Sequence, residues 1–148
     1  MFIVNVEAAV YKEDKWLIIQ RSLKEEHAAG ALSLVGGQVE DEGNSSDILE
    51  RTAIREVYEE VGVTISNHLQ YVHSTSFISN SGKKVVDIVM LAKYESGEAY
   101  PKSKDEVENV LWLTTEEIFT HPSIGPIVRE SIKRAQMVKD RLTITTSY

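Results

Sequence analysis

The run Arg55-Glu56-Val57-Tyr58-Glu59-Glu60-Val61-Gly62-Val63 constrains this chain more than any other segment. It sets three carboxylates at i, i+3 and i+4, which share one narrow face of a helix turning ~100° per residue. Like charges so placed repel one another. A hard divalent cation such as Mg²⁺ takes oxygen ligands and removes that repulsion. Leu49, Ala53, Val57 and Val61 recur every four residues, which gives the same helix a buried apolar stripe on another side. Gly62 is a good residue to end it. At its start Asp47 or Ser46 is expected as the cap, with Glu50 as the capping-box partner of Asp47.

Upstream, the short apolar run Ala31 to Val35 leads into Gly36-Gly37-Gln38-Val39-Glu40. Glycines there allow positive φ and let backbone amides approach a ligand. Together the two segments resemble the Nudix hydrolase signature, Gly-x5-Glu-x7-Arg-Glu-U-x-Glu-Glu-x-Gly-U, where U is bulky and aliphatic. Arg55 and Glu56 match its Arg-Glu, and Val57, Glu59, Glu60, Gly62 and Val63 match the remainder without a gap. The first half departs from the pattern. The signature's first Glu would fall six residues after Gly37, at Gly43, whereas Asp47 stands eight residues before Arg55. The loop therefore reads as four residues longer than usual, with Asp replacing Glu.

The resemblance implies an α/β fold, an α/β/α sandwich with a mixed β-sheet in which the signature forms loop, helix and loop. The pattern of elements agrees. Phe2 to Val10 and Trp16 to Gln20 read as a hairpin, Leu69 to Ser79 and Val85 to Tyr94 as strands about the turn Asn80-Ser81-Gly82-Lys83, and Val110 to Leu113 as a short strand. Thr114 or Thr115 is placed to cap a short helix over Glu116 to Phe119. Ser123 to about Leu142 has the apolar spacing of a second long helix, with Pro126 in its first turn. Strands and helices mix without strict βαβ alternation, as in a mixed sheet covered by helices.

Composition narrows the partners. The 148 residues are 42% hydrophobic and 26% charged, an ordinary globular balance, and are expected to form one domain, residues 1–148. No cysteine is present, so thiolate metal sites and disulfides are excluded. The net charge of −7 argues against a nucleic-acid polymer as partner, but not against a nucleotide bound through metal. No apolar run reaches membrane-spanning length, and the start of the chain reads as a strand rather than a signal peptide. The expected location is cytoplasmic, with no membrane partner. The resemblance also allows a homodimer.

Hydrolysis of a pyrophosphate linkage needs water in line with phosphorus and spreading of the developing charge. Glu59 and Glu60 are the leading metal ligands by resemblance, and Glu56, one turn earlier, is a ligand or the base. The resemblance gives Arg55 a bracing role in the catalytic set, with Asp47 as its expected partner and Glu42 or Glu50 as substitutes. Glu106, in the acidic loop Pro101 to Glu108, is the expected further carboxylate, with Glu108 second. Arg21 at the end of the second strand is the phosphate candidate, beside the backbone of Gly36 and Gly37. His27, His68, His73 and His121 show no metal-ligand spacing, although His27 lies in the loop before the glycines and is a minor substrate candidate. Trp16 and Trp112 read as core.

The expected function is Mg²⁺-dependent hydrolysis, with Mn²⁺ as a substitute, of a nucleoside diphosphate linked to a further group X. A nucleoside triphosphate giving monophosphate and pyrophosphate is the first choice. ADP-ribose or a nucleotide sugar is the runner-up. A non-catalytic nucleotide sensor on the same fold is the reading from another class, and the longer loop and Asp47 speak for it.

Overall fold

In the computed structural model, which describes residues 1–25 and 28–146, β1 (Phe2–Lys12) and β2 (Lys15–Arg21) form an antiparallel hairpin in which Tyr11 lies opposite Trp16. Both strands are apolar on both faces. Val6, Ala8, Val10, Leu17 and Ile19 enter one core, and Ala9, Trp16 and Ile18 enter another. Such two-sided runs belong to a sheet covered by helices on both sides.

The chain continues through β3 (Leu32–Ser33), β4 (Val35–Gln38), α1 (Ile48–Val61), β5 (Thr64–Ile65), β6 (Gln70–Ile78), β7 (Lys84–Ser96), β8 (Val107–Thr114), α2 (Thr115–Thr120) and α3 (Pro126–Thr146). β1 and β7 run parallel through the middle of the sheet, in register from Phe2 opposite Lys84 to Tyr11 opposite Lys93. Every other pairing is antiparallel: β1 with β2 and β4; β2 with β3 and β8; β7 with β5 and β6. The sheet is thus mixed, as expected. Its β1 face carries α1, whose Ala53, Val57 and Val61 are buried against Val6, Ala8 and Leu17. The opposite face carries α2 and α3 through Ile118, Ile124, Ile132 and Ala135. The architecture is an α/β/α sandwich.

Several local expectations change. Asp47 does sit at the start of α1, but in the left-handed region (φ 57, ψ 37), and its side chain caps nothing. Burying a valine contributes about 1.5–3 kcal/mol, and Val57 and Val61 are fully buried. Packing of the stripe therefore stands in for the missing cap. At the other end Gly62 adopts φ 72 and its N–H reaches the Tyr58 carbonyl at 3.0 Å, as a helix-ending glycine should. Gly36 and Gly37 are not in a loop. They lie in β4, paired with Glu7 and Val6, and neither has positive φ. The second long helix starts at Pro126 rather than Ser123. Thr114 forms the expected cap, in a reciprocal capping box with Glu117. Trp16 is buried and its indole N–H donates to Thr115 Oγ1 at 2.8 Å, while Trp112 packs edge-on to Tyr94. Both are structural, as read from the sequence.

Candidate functional site

On α1, residues 56 and 60 are one turn apart and their side chains converge. Glu106 reaches the same point from the turn before β8, so that Glu56, Glu60 and Glu106 each bring a carboxylate oxygen within 4.8 Å of the others. Two sets of backbone bonds hold this turn in place. The Glu60 carbonyl accepts from the Lys102 and Ser103 N–H groups at 3.0 and 3.2 Å, and the Glu106 carbonyl accepts from Ser22 N–H at 2.9 Å. The acidic turn is thereby tied both to the end of α1 and to the end of β2.

Burial makes this cluster costly. Glu60 is only 5% exposed, and its Oε2 has no hydrogen-bond partner. Burial first, then the charges of Glu106 and Glu56, push its carboxyl up to about 9, against a weaker pull from Arg21. Glu56 is also raised, by burial first and by Glu59 and Glu106, but the Arg55 guanidinium beside it opposes the shift. A buried, unpartnered carboxylate oxygen facing two more carboxylates fits an oxygen-seeking divalent cation. The three residues present suit that ion. Glu59 is exposed and stands outside the cluster, although its charge helps to raise Glu56.

The diglycine explains how Glu56 can lie where it does. A Cβ on Gly37 would fall 2.6 Å from both Glu56 carboxylate oxygens, closer than any side chain tolerates. The glycine is needed for the close approach, not for an unusual backbone angle.

Arg55 braces the helix against the loop. Its Nη2 donates to the Gln38 carbonyl and to Glu56 Oε1, each at 3.2 Å, and its Nη1 lies 3.7 Å from both Glu40 and Glu42. The expected partner Asp47 is not among these. Glu42, one of the named substitutes, takes its place and also pairs with Arg51. The longer loop carries Asp47 onto the helix start and leaves Glu42 to turn back toward the guanidinium.

The carboxylates open into a cavity of about 550 Å³ that is also lined by Arg21, Gly36 and Gly37. Arg21 sits beside Glu25 at 3.6 Å. Glu108 lines a different depression, so of the two acidic-loop candidates only Glu106 joins the cluster. His73 is buried and bonded to Ser131 Oγ at 2.9 Å, and His121 accepts from Ser123 N–H, so neither faces the cluster. His27 lies outside the described residues.

Two acidic strand residues that line the cavity were missed in the sequence. Glu7 on β1 and Asp87 on β7 share one face of the sheet and line the cavity together. Burial first, then the Asp87 carboxyl beside it, holds Glu7 well above the usual carboxylate range. A signal existed. Each is the one charged residue within an apolar stretch, Val6-Glu7-Ala8 and Val86-Asp87-Ile88, that reads as a central strand.

Comparison with known proteins places this arrangement. The fold is similar to the MutT NUDIX hydrolase of Burkholderia pseudomallei, at 24% identity over 90% of this chain and 98% of that one, with a TM-score of 0.75. It is equally similar to the MutT protein of Methanosarcina mazei Go1, at 23% identity over 93% and 95%, TM-score 0.75. The NUDIX domain of Shewanella oneidensis NrtR, solved with ADP ribose, aligns at 18% identity over 96% and 89%, TM-score 0.70. A comparison with curated proteins finds no sequence match. The family model for the NUDIX domain matches residues 1–135, nearly the whole of the sandwich and every carboxylate discussed above, and the chain therefore belongs to the NUDIX family, as a hydrolase of acid anhydrides.

Proposed function

We propose that the protein hydrolyses a nucleoside triphosphate to the monophosphate and pyrophosphate with the help of Mg²⁺, for which Mn²⁺ can substitute. The observation that carries this reading is the buried Glu60 carboxylate, with one oxygen unpartnered, facing Glu56 and Glu106 at the mouth of a nucleotide-sized cavity. Glu56, Glu60 and Glu106 would hold the cation, and the exposed Glu59 would add a ligand from solvent. When bound, the ion neutralises phosphate charge and polarises the anhydride.

The chain's own residues do the rest. Arg55 opposes the upward shift of Glu56 and keeps its carboxyl pointed at the cluster. Arg21 binds phosphate oxygens from the end of β2. Gly36 and Gly37 leave room for the polyphosphate along β4. A water adds to one phosphorus of the anhydride, the bridging oxygen departs with the other, and a carboxylate takes the water's proton. We assign that proton to Glu106, because it sits on a turn rather than on the helix that carries Glu56 and Glu60.

The test is a screen of nucleoside triphosphates, ADP-ribose and nucleotide sugars with Mg²⁺ and with EDTA, reading pyrophosphate and monophosphate. Metal-dependent release of pyrophosphate from a triphosphate supports the reading. Turnover confined to ADP-ribose or a nucleotide sugar moves the substrate to the runner-up. Tight binding with no turnover of any compound would make the protein a sensor.

A further inference from the structure

The last carbonyls of a helix have no partner within it. At the end of α1 they are met by one passing segment of chain, residues 100–103. The Val61 carbonyl accepts from Tyr100 N–H at 3.1 Å, and the Glu60 carbonyl accepts from Lys102 and Ser103 N–H at 3.0 and 3.2 Å. Ser103 then closes a tight turn, its carbonyl accepting from Glu106 N–H at 3.0 Å and Val107 N–H at 2.8 Å. Glu106 therefore stands one turn beyond a segment that is bonded to the end of α1.

Two side chains of this segment grip the helix as well. The Tyr100 ring lies against Gly62, where a Cβ would fall 2.7 Å from Tyr100 Cε1. The Lys102 ammonium sits over the Tyr58 ring, 3.6 Å from its centroid. Tyr58 is about half a turn round α1 from Glu56 and Glu60. Lys102 thus reaches the side of the helix away from the carboxylates, while Ser103 leads to Glu106 on the near side. The segment straddles the helix end. Tyr58 is 52% exposed and belongs to neither core cluster, so its ring serves the lysine rather than the interior.

The carboxylates give this grip a purpose. Three of them within 4.8 Å repel one another. Without a cation the repulsion pushes the Glu106 turn away from the helix. A turn that has swung out must be ordered again each time an ion binds, which weakens binding.

We propose that Lys102 and Tyr58 are positioning residues: their cation–π contact locks residues 100–103 across the end of α1 and so holds Glu106 in place for a divalent cation before the cation arrives. The proposal rests on the carboxylate cluster being the metal site. Neither residue touches the ion or the substrate, so the effect falls on cation affinity and not on the bond-breaking step. Its sign is diagnostic. Lys102 is itself a cation, and on charge alone its removal from beside a metal site strengthens metal binding. A clamp demands the opposite.

The test is Mn²⁺ binding to the full, metal-free chain without substrate, followed by the electron paramagnetic resonance of the free ion. Tyr58→Leu and Lys102→Met should each weaken binding by about three- to fivefold. The two combined should weaken it no further, since either change alone undoes the pair. Tyr58→Phe keeps the ring and Lys102→Arg keeps the charge, and both should bind as wild type does. The Mg²⁺ concentration giving half-maximal turnover should rise by the same factor in the weakened variants, with a far smaller change in kcat at saturating Mg²⁺. Thermal melts in EDTA check that each variant is folded. Lys102 is exposed, so Lys102→Met carries the test if Tyr58→Leu does not fold. Binding in Lys102→Met as tight as wild type, or tighter, overturns the proposal, as does a double variant whose loss is the product of the two single losses. If Mn²⁺ affinity falls as expected but no nucleotide is hydrolysed, the hydrolytic reading fails and this one stands. If nucleotides are hydrolysed and Mn²⁺ affinity is unchanged, this one fails alone. A wild-type protein that binds no Mn²⁺ overturns it too.

Discussion

The Arg55 guanidinium bridges the Gln38 carbonyl of β4 and the Glu56 carboxylate of α1, at 3.2 Å to each. One side chain therefore fixes both the strand under the cavity and the carboxylate above it. Arg55→Lys keeps the charge but loses the planar fork. We expect it to lower kcat/KM by about 10- to 100-fold and to lower the melting temperature of metal-free protein, read by calorimetry in EDTA. Were Arg55→Ala to raise only KM, with stability unchanged, the residue would be a phosphate binder.

Glu60→Gln should separate stability from activity. It removes a buried charge that the metal-free protein can accommodate only by protonation, so the melting temperature in EDTA should hold or rise. The added stabilisation by Mg²⁺ should shrink, because binding to the native state alone is what raises it. Turnover should fall by about two orders of magnitude or more. Wild-type turnover in this variant would place the metal elsewhere.

Glu106→Gln and Glu108→Gln form a matched pair. Glu106 belongs to the cluster and Glu108 lines another depression. Glu106→Gln should cut kcat more than it raises KM and should flatten the acid limb of the pH-rate profile, whereas Glu108→Gln should behave as wild type. Equal and near-normal rates for both would leave Glu56 as the base.

Gly37→Ala and Gly36→Ala should fail in different ways. On Gly37 the new methyl meets the end of the Glu56 side chain, which can swing aside. The fold should survive and turnover should drop. On Gly36 it meets the Val6 carbonyl and, at 2.8 Å, the Glu7 Cα, which are backbone. That variant should lose thermal stability, and circular dichroism melts of the two would show the contrast.

His73 gives the pH dependence of stability. Burial first, then the Arg134 charge, lower its pKa, opposed by Glu130 and Asp87. The unfolded chain, with an ordinary histidine near ~6.5, binds this proton more readily than the folded one. Stability from this residue is therefore complete above about pH 6.5 and is lost as pH falls below it. Ser131 holds the ring in place at 2.9 Å. Replacing His73 by Gln should reduce the slope of urea-midpoint stability as pH falls below about 6.5. An unchanged slope would show that other groups set it.

How legible was all this beforehand? Helix α1 announced itself through the four-residue spacing of Ala53, Val57 and Val61, and the parallel glutamate spacing came with it. Its start was less legible, because Asp47 carries the residue type of a cap without making the bond. The two-residue strands β3 and β5 are too short to show alternation, and β5 was not read at all. Glu106 could be named because an acidic turn precedes a late strand. The Glu7–Asp87 pair could not be assembled from the sequence, since it depends on β1 lying beside β7 in one particular register. The partners of Arg55 were half legible: Glu42 was named only as a substitute, since the path of a lengthened loop is decided by packing and not by spacing.

Strand β4 is only four residues long, yet it is a party wall. Through Gly37 it abuts the helix that carries Glu56 and Glu60, and through Gly36 it abuts the strand that carries Glu7. The carboxylate cluster of α1 and the acidic residues of β1 and β7 thus line one cavity from different elements. A lineage could change the floor on β1, β6 and β7 without disturbing the helix that carries Glu56 and Glu60. The wall itself could not be thickened by even one methyl without being felt on both sides.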